Sequence, residues 1–469
     1  LPRGGAFSPN PSPGAWRSVA RDGPSGCGVE LRRLFGQPAP RSLHRQRTLH
    51  LELLNTGTEL LLGRVLNTHQ QWLCRRFADA GYVVARQTAV ADTAREIAGA
   101  VREALGRADL VVVTGGLGPT ADDLTRDALA ALVGRPLRED PAVAAHLRAW
   151  YTARGRTPTP AVMVQARVPE GAVVLPNAHG TAPGLLIEVR PNPHSPAGRP
   201  AWLVLLPGPP RELRPMFTEQ VLPWVQRTWP LATPFVCRTL RTTGVPESLM
   251  EARLAAPLAP LAARGLEIGY CARPGEVDVR LAARTAEAAA LVAGAVAVVR
   301  GEVGRHVYGE EDDTLEAVVV RLLTEQRRTL AVAESCTGGR LASRITDVPG
   351  ASAVFLGGFL TYANALKERL VGVSAELLAA HGAVSEPVAR AMAEGARART
   401  GADFALAVTG IAGPGGGTPD KPVGTVFLAL AAAEGTEVRQ FLNAFDRETF
   451  KHMSSQQALE LLRQRLVPA

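Results

Sequence analysis

The feature that most constrains the fold is a direct passage from a strand pattern through a glycine turn into a helix pattern, in the stretch LAVAESCTGGR at residues 330–340. Five residues suited to a buried strand precede the turn, and helical spacing starts at Arg340. Such a corner leaves the first amides of the helix unpaired in a crevice, beside the hydroxyls of Ser335 and Thr337. Either hydroxyl could instead simply cap the helix. The pattern therefore predicts an α/β corner with a candidate site at the strand end.

The same alternation of strands and helices predicts the domain organisation. We expect two three-layer, doubly wound α/β domains at 48–230 and 309–469, joined by a small α+β module at 231–308. The module reads as β-α-β-β-α, with a hairpin at Pro274-Gly275. Residues 1–47 are rich in Pro, Gly, Ser and Arg without periodicity, which predicts a disordered or non-native leader. The fold class is thus α/β.

The net charge of +8 gives little support for a nucleic-acid partner, because residues 1–50 contain eight Arg against Asp22 and Glu30. The remaining chain is almost neutral and shows no basic stripe interleaved with aromatic residues. No apolar run approaches the roughly 20 residues that a membrane span needs. We therefore expect small-molecule nucleotides as partners, no nucleic acid, no membrane, and a homodimer as the default assembly.

The cysteines and lysines are informative by their scarcity. The five cysteines are scattered and form no C-x-x-C pair, which argues against a zinc site and a disulfide framework and favours a reducing cytoplasm. Of 52 basic residues only Lys367, Lys421 and Lys451 are lysines. Because a guanidinium cannot lose its proton near neutral pH and an amine can, a retained lysine could mark a site that needs an amine. Each of these lysines could equally have been retained by chance, without a functional role.

Two further strand ends carry candidate residues in the C-terminal domain. Tyr362, Asn364 and Lys367 lie where a predicted strand meets a helix, so Tyr362 and Lys367 can reach one cavity. The loop Gly410 to Gly417 follows another strand and can form a nest of amides for phosphate. A glycine-rich hairpin linker is the alternative for that loop.

In the N-terminal domain, the buried strand pattern DLVVVT is followed by GGLGPTADD at residues 115–123. Glycines at the carboxyl end of a strand let a ligand approach the backbone, and the next helix start attracts anions. Asp122 and Asp123 suit a divalent cation held against phosphate oxygens. The loop is neither a Walker loop nor a G-x-G-x-x-G fingerprint. Capping by Asp in a glycine-rich turn is the alternative.

Six motifs in this order, GTELLLG, GGLGPTADD, LPGPPRE, AESCTGGRLA, TYANALK and VTGIAGPGGG, resemble the CinA family of competence- and damage-inducible proteins. The resemblance spans about nine-tenths of the chain. It implies an N-terminal domain of the molybdopterin-binding fold and a C-terminal nicotinamide-nucleotide amidase domain. The implied activities are deamidation of nicotinamide mononucleotide, without a cofactor, and hydrolysis of ADP-ribose with a divalent metal of unknown identity.

The resemblance also implies roles for residues of the C-terminal domain. Ser335 is the expected nucleophile, Lys367 and Tyr362 the proton-handling pair, and the amides of Thr337 to Gly339 the oxyanion donors. Arg447 could pair with the substrate phosphate or only cap its own helix. The further substrate-binding residues expected here are Gly338, Asn364, Thr409, Gly410, Gly413, Gly415 and Gly416.

In the N-terminal domain the implied metal ligands are Asp122, Asp123 and Glu59. The substrate-binding residues expected with them are Gly115, Gly116, Thr120 and Asn67. Family members often carry Asn where this sequence has His69, which leaves the role of that position open.

Two alternatives stay open at this point. Cys336, beside Ser335, is a rival nucleophile, although no His accompanies it. The competing functional class is a regulatory or binding protein, related to competence and DNA or to molybdopterin, in which one or both activities are lost.

Overall fold

A computed structural model of the protein describes residues 48–467, which form two compact units. The first unit comprises residues 48–78 and 82–232, and the second comprises 79–81 and 233–467. The predicted leader at 1–47 lies outside the described residues. Within the described range, no helix combines the length and apolarity needed to cross a membrane.

The first unit alternates strands and helices from Leu51 onward. Its strands are β1 Leu51–Thr56, β2 Val84–Val90, β3 Leu110–Thr114, β4 Leu137–Glu139, β5 Arg167–Pro169, β6 Val173–Leu175, β7 Gly184–Val189 and β8 Ala201–Leu206. Its helices are α1 Thr58–Leu61, α2 Thr68–Asp79, α3 Ala94–Leu105, α4 Thr125–Leu132, α5 Pro141–Thr152, α6 Pro160–Met163, α7 Pro210–Met216 and α8 Leu222–Thr228.

The main sheet of this unit has the order β2-β1-β3-β8-β7-β6. Strands β2, β1, β3 and β8 pair in parallel, whereas β7 pairs antiparallel with both β8 and β6. Val111 and Val113 of β3 pack with Ile97 of α3 on one face. On the helices of the other face, Phe77 and Phe217 meet edge to face, with ring centroids 4.9 Å apart. The predicted three-layer α/β architecture is therefore present, and the ends of β1 and β3 open at one edge.

The second unit contains the module and the C-terminal domain. Its strands are β9 Phe235–Thr243, β10 Leu266–Arg273, β11 Glu276–Arg284, β12 Val307–Glu310, β13 Leu330–Glu334, β14 Phe355–Leu360, β15 Phe404–Gly410, β16 Thr425–Ala432 and β17 Gly435–Leu442. Its helices are α9 Glu247–Ala262, α10 Ala288–Val303, α11 Leu315–Gln326, α12 Arg340–Thr346, α13 Asn364–Val371, α14 Ala375–His381, α15 Glu386–Thr400 and α16 Arg447–Leu466.

Two sheets organise this unit. The module sheet, β10-β11-β9-β12, is antiparallel throughout, and β10 and β11 form the predicted hairpin. The C-terminal sheet, β14-β13-β15-β16-β17, pairs β13 in parallel with both neighbours and adds two antiparallel strands. One face carries the core of α11, α12 and α16, and the other carries α13, α14 and α15. Because β13 lies between its parallel neighbours β14 and β15 and ends at Glu334, the turn after it opens at the strand ends between them.

Some elements differ from the sequence expectation. Helix α9 was expected to end near Ala256 and instead continues to Ala262, with Pro257 and Pro260 inside it. Proline usually interrupts a helix, but Leu254 and Leu258 are buried in the module core on both sides of Pro257. Tertiary packing thus overrides the local preference. Helix α5 and strand β17 were not predicted.

Candidate active site

The turn after β13 is closed by the buried side chain of Glu334. All five residues of β13 are buried, and Glu334 is only 2% exposed. Its carboxylate accepts hydrogen bonds from the amides of Gly339 (3.0 Å), Leu341 (3.1 Å) and Ala342 (2.8 Å). These are amides at the start of α12 that have no partner within the helix. Glu334, and neither Ser335 nor Thr337, therefore provides the helix cap that the sequence left open.

Ser335 contacts Lys367 at the end of the same strand. Lys367 Nζ lies 3.2 Å from Ser335 Oγ, and Lys367 is 1% exposed. The amine also donates to the carbonyl oxygens of Thr361 (2.8 Å) and Tyr362 (3.2 Å). Thr361 is fixed in turn by its amide, which donates to the Glu334 carbonyl at 2.8 Å. The nucleophile and base expected from the sequence are thus in direct contact.

The surroundings of Lys367 shift its titration toward the neutral amine. Burial lowers the pKa of Lys367 below the usual lysine value. A neutral amine has two protons and one lone pair. The carbonyls of Thr361 and Tyr362 take both protons, which leaves the lone pair for the hydroxyl proton of Ser335. This arrangement can therefore deprotonate Ser335.

Tyr362 occupies a different position from the one expected. Its backbone carbonyl contacts Lys367, whereas its side chain is 58% exposed and its hydroxyl accepts a hydrogen bond from Arg447 Nη2 at 2.9 Å. Arg447 Nη1 donates to the Gly413 carbonyl at 2.8 Å. The phenol of Tyr362 thus pairs with Arg447 and forms no hydrogen bond with Ser335 or Lys367 in the described chain. A proton-handling role for it stays a prediction.

Arg447 does not cap its own helix. The cap of α16 is Asp446, whose Oδ1 accepts from the amides of Glu448 (3.0 Å) and Thr449 (3.1 Å). The guanidinium of Arg447 instead joins the glycine loop to Tyr362. This geometry leaves the phosphate-pairing alternative for Arg447.

The residues expected to bind the substrate in and beside the glycine loop differ in their exposure. Gly415 and Gly416 are exposed, and Gly413, with a φ of +71°, is buried beneath Arg447. The hydroxyl of Thr409 is buried and donates to the Ala383 carbonyl at 2.7 Å, so it is already used within the protein. Gly410 is the last residue of β15. Asn364, the first residue of α13, is exposed beside Tyr362.

The expected oxyanion donors need a correction. The Gly338 amide donates to the Ser335 carbonyl at 3.1 Å, and the Gly339 amide donates to Glu334. These two amides are therefore occupied. The amides of Cys336 and Thr337 donate to no oxygen atom of residues 48–467, and both lie against the Cys336 sulfur, where they lower the pKa of the thiol against the larger effect of burial. The Thr337 hydroxyl is buried and has no hydrogen-bond partner among these residues.

Cys336 does not suit the role of nucleophile. Its side chain is 5% exposed, and burial raises the pKa of its thiol to about 12. A thiol with that pKa carries almost no thiolate near neutral pH. The four cysteines in the described range are all free thiols.

In the first unit, the glycine loop after β3 is ordered by its own side chains. Gly115 and Gly116 have φ of +96° and +66°. Asp123 Oδ2 accepts from the Thr120 amide at 2.9 Å and from the Thr120 hydroxyl at 2.5 Å. Asp122 is exposed. Asp123 therefore acts as an internal cap of this loop.

The three expected metal ligands do not form a prearranged site. Glu59 lies exposed in α1, and the residues of the described chain contain no group of three or more His, Cys, Asp or Glu side chains placed to hold a metal ion. The carboxylate of Asp123 is moreover engaged with Thr120. We therefore derive no chemical step through a metal ion in this unit.

A polar chain lines the edge where β1 and β3 end. Asn55 Nδ2 donates to Thr114 Oγ1 at 2.7 Å, and Asn67 Nδ2 donates to Asn55 Oδ1 at 3.0 Å. His69 Nε2 is 2.5 Å from the carbonyl of Gly208 in the LPGPPRE loop, and burial lowers the pKa of this imidazole. His69 thus connects α2 to that loop. Asn67 lies at the strand ends as expected.

Sequence reasoning missed Glu334, Thr361 and Asn55. One signal was available for Glu334, because a carboxylate stands at the end of an otherwise apolar strand directly before a glycine turn. Asn55 also ends an apolar run. Thr361 acts through its carbonyl oxygen, for which the sequence holds no signal.

Comparison with family models divides the chain into three matched regions. Residues 52–227 match a probable molybdopterin binding domain, 237–309 match the damage-inducible protein CinA KH domain, and 312–466 match the CinA C-terminal domain.

Individual proteins are similar over most of the chain. A protein of Symbiobacterium thermophilum named for competence-damage induction is 50% identical over 386 residues, which are 81% of this chain and 88% of that protein. A CinA-like protein of Akkermansia muciniphila is 45% identical over 420 residues, 88% of this chain and 96% of that protein. The crystal structure of the competence/damage inducible protein CihA from Agrobacterium tumefaciens covers 32% of this chain and 91% of its own, at 42% identity and a TM-score of 0.31. By its sequence similarity over most of its length, the chain belongs to the CinA family.

Proposed function

We propose that the C-terminal domain is an amidohydrolase that converts nicotinamide mononucleotide to nicotinate mononucleotide and ammonia. The observation that carries this proposal is the 3.2 Å contact between Ser335 Oγ and the buried amine of Lys367. Buried lysines are costly unless their environment is built for them, and perturbed groups of this kind concentrate at functional sites.

The reaction begins with the hydroxyl of Ser335. Lys367, as the free amine, takes the Ser335 proton while Oγ bonds to the carboxamide carbon of the substrate. The amides of Cys336 and Thr337 are the donors in the turn that remain for the oxyanion of the tetrahedral intermediate. The Lys367 ammonium then gives its proton to the departing nitrogen, and ammonia leaves an acyl group on Ser335.

A water molecule completes the cycle. Lys367 is again neutral and takes a proton from the water as its oxygen attacks the acyl carbon. The second tetrahedral intermediate breaks down by protonation of Ser335 Oγ, which releases the carboxylate product. No cofactor enters this scheme.

Binding of the ribose phosphate is assigned to the loop Gly410 to Gly417 with Arg447. The guanidinium already spans the loop and the Tyr362 hydroxyl, so a phosphate would meet a prepositioned cation. Tyr362 thereby acts on Arg447 as a positioning residue. The exposed Gly415 and Gly416 leave their amides accessible to the ligand.

The direct test is turnover of the candidate substrate. The full chain, incubated with nicotinamide mononucleotide, should release ammonia and nicotinate mononucleotide in equal amounts, with or without a chelator. Both products can be measured, ammonia by a coupled enzymatic assay and the nucleotide by chromatography. Absence of both from fully folded protein would refute the proposal.

A second candidate activity, hydrolysis of ADP-ribose to AMP and ribose 5-phosphate, belongs to the N-terminal domain. The observation that favours it is the polar chain Asn67-Asn55-Thr114 beside the left-handed Gly115 and Gly116. Strand ends of this kind bind phosphorylated ligands. Because magnesium sites often use one or two carboxylates plus substrate phosphates, Asp122 remains the available ligand. Divalent-dependent formation of AMP tests this activity, and its absence would leave the domain a binding module.

A further inference from the structure

A second cavity lies outside the Ser335 site, on the other side of the turn. It has a volume of about 620 Å³ and is walled by the module, by the start of α11, by α12 and by α16. Gly338 and Gly339 belong to its lining, whereas Ser335, Lys367, Tyr362 and Arg447 do not. The cavity is therefore separate from the nucleophile and its base.

Most charges in this cavity neutralise one another. Arg241 pairs with Asp278 at 3.0 Å and with Glu276 at 3.3 Å. Arg344 pairs with Glu316 at 2.7 Å. These groups form the walls, and their hydrogen-bonding capacity is largely spent.

Two cations retain donors for a ligand. Lys451 has no side-chain hydrogen-bond or ion-pair partner among residues 48–467. Arg340 uses its terminal nitrogens on the Glu448 carbonyl and carboxylate, which leaves Nε free, and Glu448 is itself highly exposed. His452, which also lines the cavity, has its pKa lowered by burial and by the charges of Arg344 and Arg340. This end of the cavity thus has two cationic side chains, Arg340 and Lys451, against the one carboxylate of Glu448.

The lack of a side chain at Gly338 leaves space for the Lys451 amine beside the turn. Gly338 has a φ of +60°, and a Cβ added there would lie 3.4 Å from Lys451 Nζ. Asp347, a lining carboxylate with no ion-pair partner among residues 48–467, directly follows α12 and lies seven residues after Arg340. Seven residues correspond to a rise of about 10 Å, so Asp347 is at the opposite end.

From these observations we propose that the cavity end formed by Gly338, Arg340 and Lys451 binds a phosphate group, with Lys451 as its principal ligand. The Lys451 amine and Arg340 Nε can each donate to an anion, and Ser343 lines the same cavity. The phosphate group belongs to a phosphorylated ligand other than the nucleotide substrate, because the single phosphate of nicotinamide mononucleotide is already assigned to Arg447 and the loop Gly410 to Gly417.

Calorimetric titration of the full chain with inorganic pyrophosphate tests the site without using any catalytic activity. Wild type should bind, and Lys451→Met should bind at least about tenfold more weakly, because a charge-assisted contact is lost. Lys451→Arg should retain binding. Lys421→Met is the matched control, since it removes the same group from a lysine that donates to the His381 carbonyl elsewhere. Equal affinity of wild type and Lys451→Met would overturn the proposal.

A kinetic comparison then checks that the ligand of this cavity is not the substrate, and this arm rests on the proposed amidase. Lys451→Met should turn over nicotinamide mononucleotide and nicotinamide riboside with unchanged KM and kcat while pyrophosphate binding is lost. A rise of KM of about tenfold for nicotinamide mononucleotide alone would place the substrate phosphate at Lys451 and overturn the assignment to a separate ligand. An equal loss of kcat on both compounds would contradict a phosphate site and indicate damage to the turn.

Discussion

The two glycine turns at strand ends, Glu334 to Arg340 and Gly115 to Thr125, share one local design and differ in where their charged groups lie. Both follow a buried strand, use glycines with positive φ and lead into a helix. In the C-terminal turn, Glu334 and Lys367 are buried and fully bonded to the protein. In the N-terminal turn, Asp122 and Glu59 are exposed, and Asp123 serves the loop itself.

The difference separates a preassembled site from one that needs a ligand to complete it. Burying a lysine costs free energy, which the contacts with Ser335, Thr361 and Tyr362 offset, and these contacts hold the Lys367 nitrogen in place before substrate arrives. Exposed carboxylates keep their hydration and can gather around a metal ion only when phosphates supply the remaining ligands. Variants in the first turn should therefore alter chemistry, and variants in the second should alter ligand binding or loop stability.

The largest expected effect is that of Ser335→Ala. Removal of the nucleophile should lower ammonia release from nicotinamide mononucleotide by at least about 10⁴-fold, because no other group in the turn can form the acyl intermediate. Cys336→Ala is the neighbouring control and should retain activity within a few-fold. A Ser335→Ala protein with undiminished turnover would return Ser335 to a structural role.

The next effect is that of Lys367→Arg, which keeps the positive charge and removes the base. A guanidinium stays protonated, so kcat should fall about 10²- to 10⁴-fold. In wild type, activity requires the neutral amine and should rise with pH through the Lys367 pKa, which burial holds below the usual lysine value. A pH–rate profile measures this limb. If Lys367→Arg shows the same rise of activity with pH, that rise belongs to the titration of another group.

A smaller effect is expected for Arg447→Met. The change removes the cation between Gly413 and Tyr362, so KM for nicotinamide mononucleotide should rise about tenfold with a modest loss of kcat. Turnover of the unphosphorylated riboside should not change. Equal losses on both compounds would show that Arg447 does not contact the phosphate.

The smallest effect concerns the stability of the N-terminal turn. Asp123→Ala removes the bonds to the Thr120 amide and hydroxyl, a loss of about 1 kcal/mol that lowers Tm by a few degrees. Asp122→Ala should lower Tm less than Asp123→Ala does, because the Asp122 side chain is exposed. Scanning calorimetry measures both. If both variants nevertheless keep divalent-dependent ADP-ribose hydrolysis at the wild-type rate, neither aspartate binds the metal.

Local patterns predicted the elements well where periodicity was strong. Helix Ala94–Leu105 and the hairpin at Pro274-Gly275 are confirmed, because their signals are amphipathic spacing and turn chemistry within a short window. Helix α9 beyond Pro257 was missed because its length depends on core contacts of the module. The scarcity of lysine pointed to Lys367 before its environment was known.

The details of the site depended on tertiary contacts that no sequence window contains. The Gly339 amide is occupied because the Glu334 side chain reaches back to the start of α12. The Gly338 amide is occupied because it donates to the Ser335 carbonyl. The direction of the Tyr362 side chain is set by Arg447, 85 residues away. Such contacts decide which donors and hydroxyls remain for the substrate.

The central claim is that Ser335, activated by Lys367, forms an acyl intermediate. Turnover of nicotinamide mononucleotide in the presence of hydroxylamine tests it most directly, because hydroxylamine competes with water for the acyl group. The account predicts that the hydroxamate of nicotinate mononucleotide accumulates with wild type, at the expense of the acid, and that Ser335→Ala forms neither. Ammonia release at full rate without hydroxamate, retained in Ser335→Ala, would contradict it.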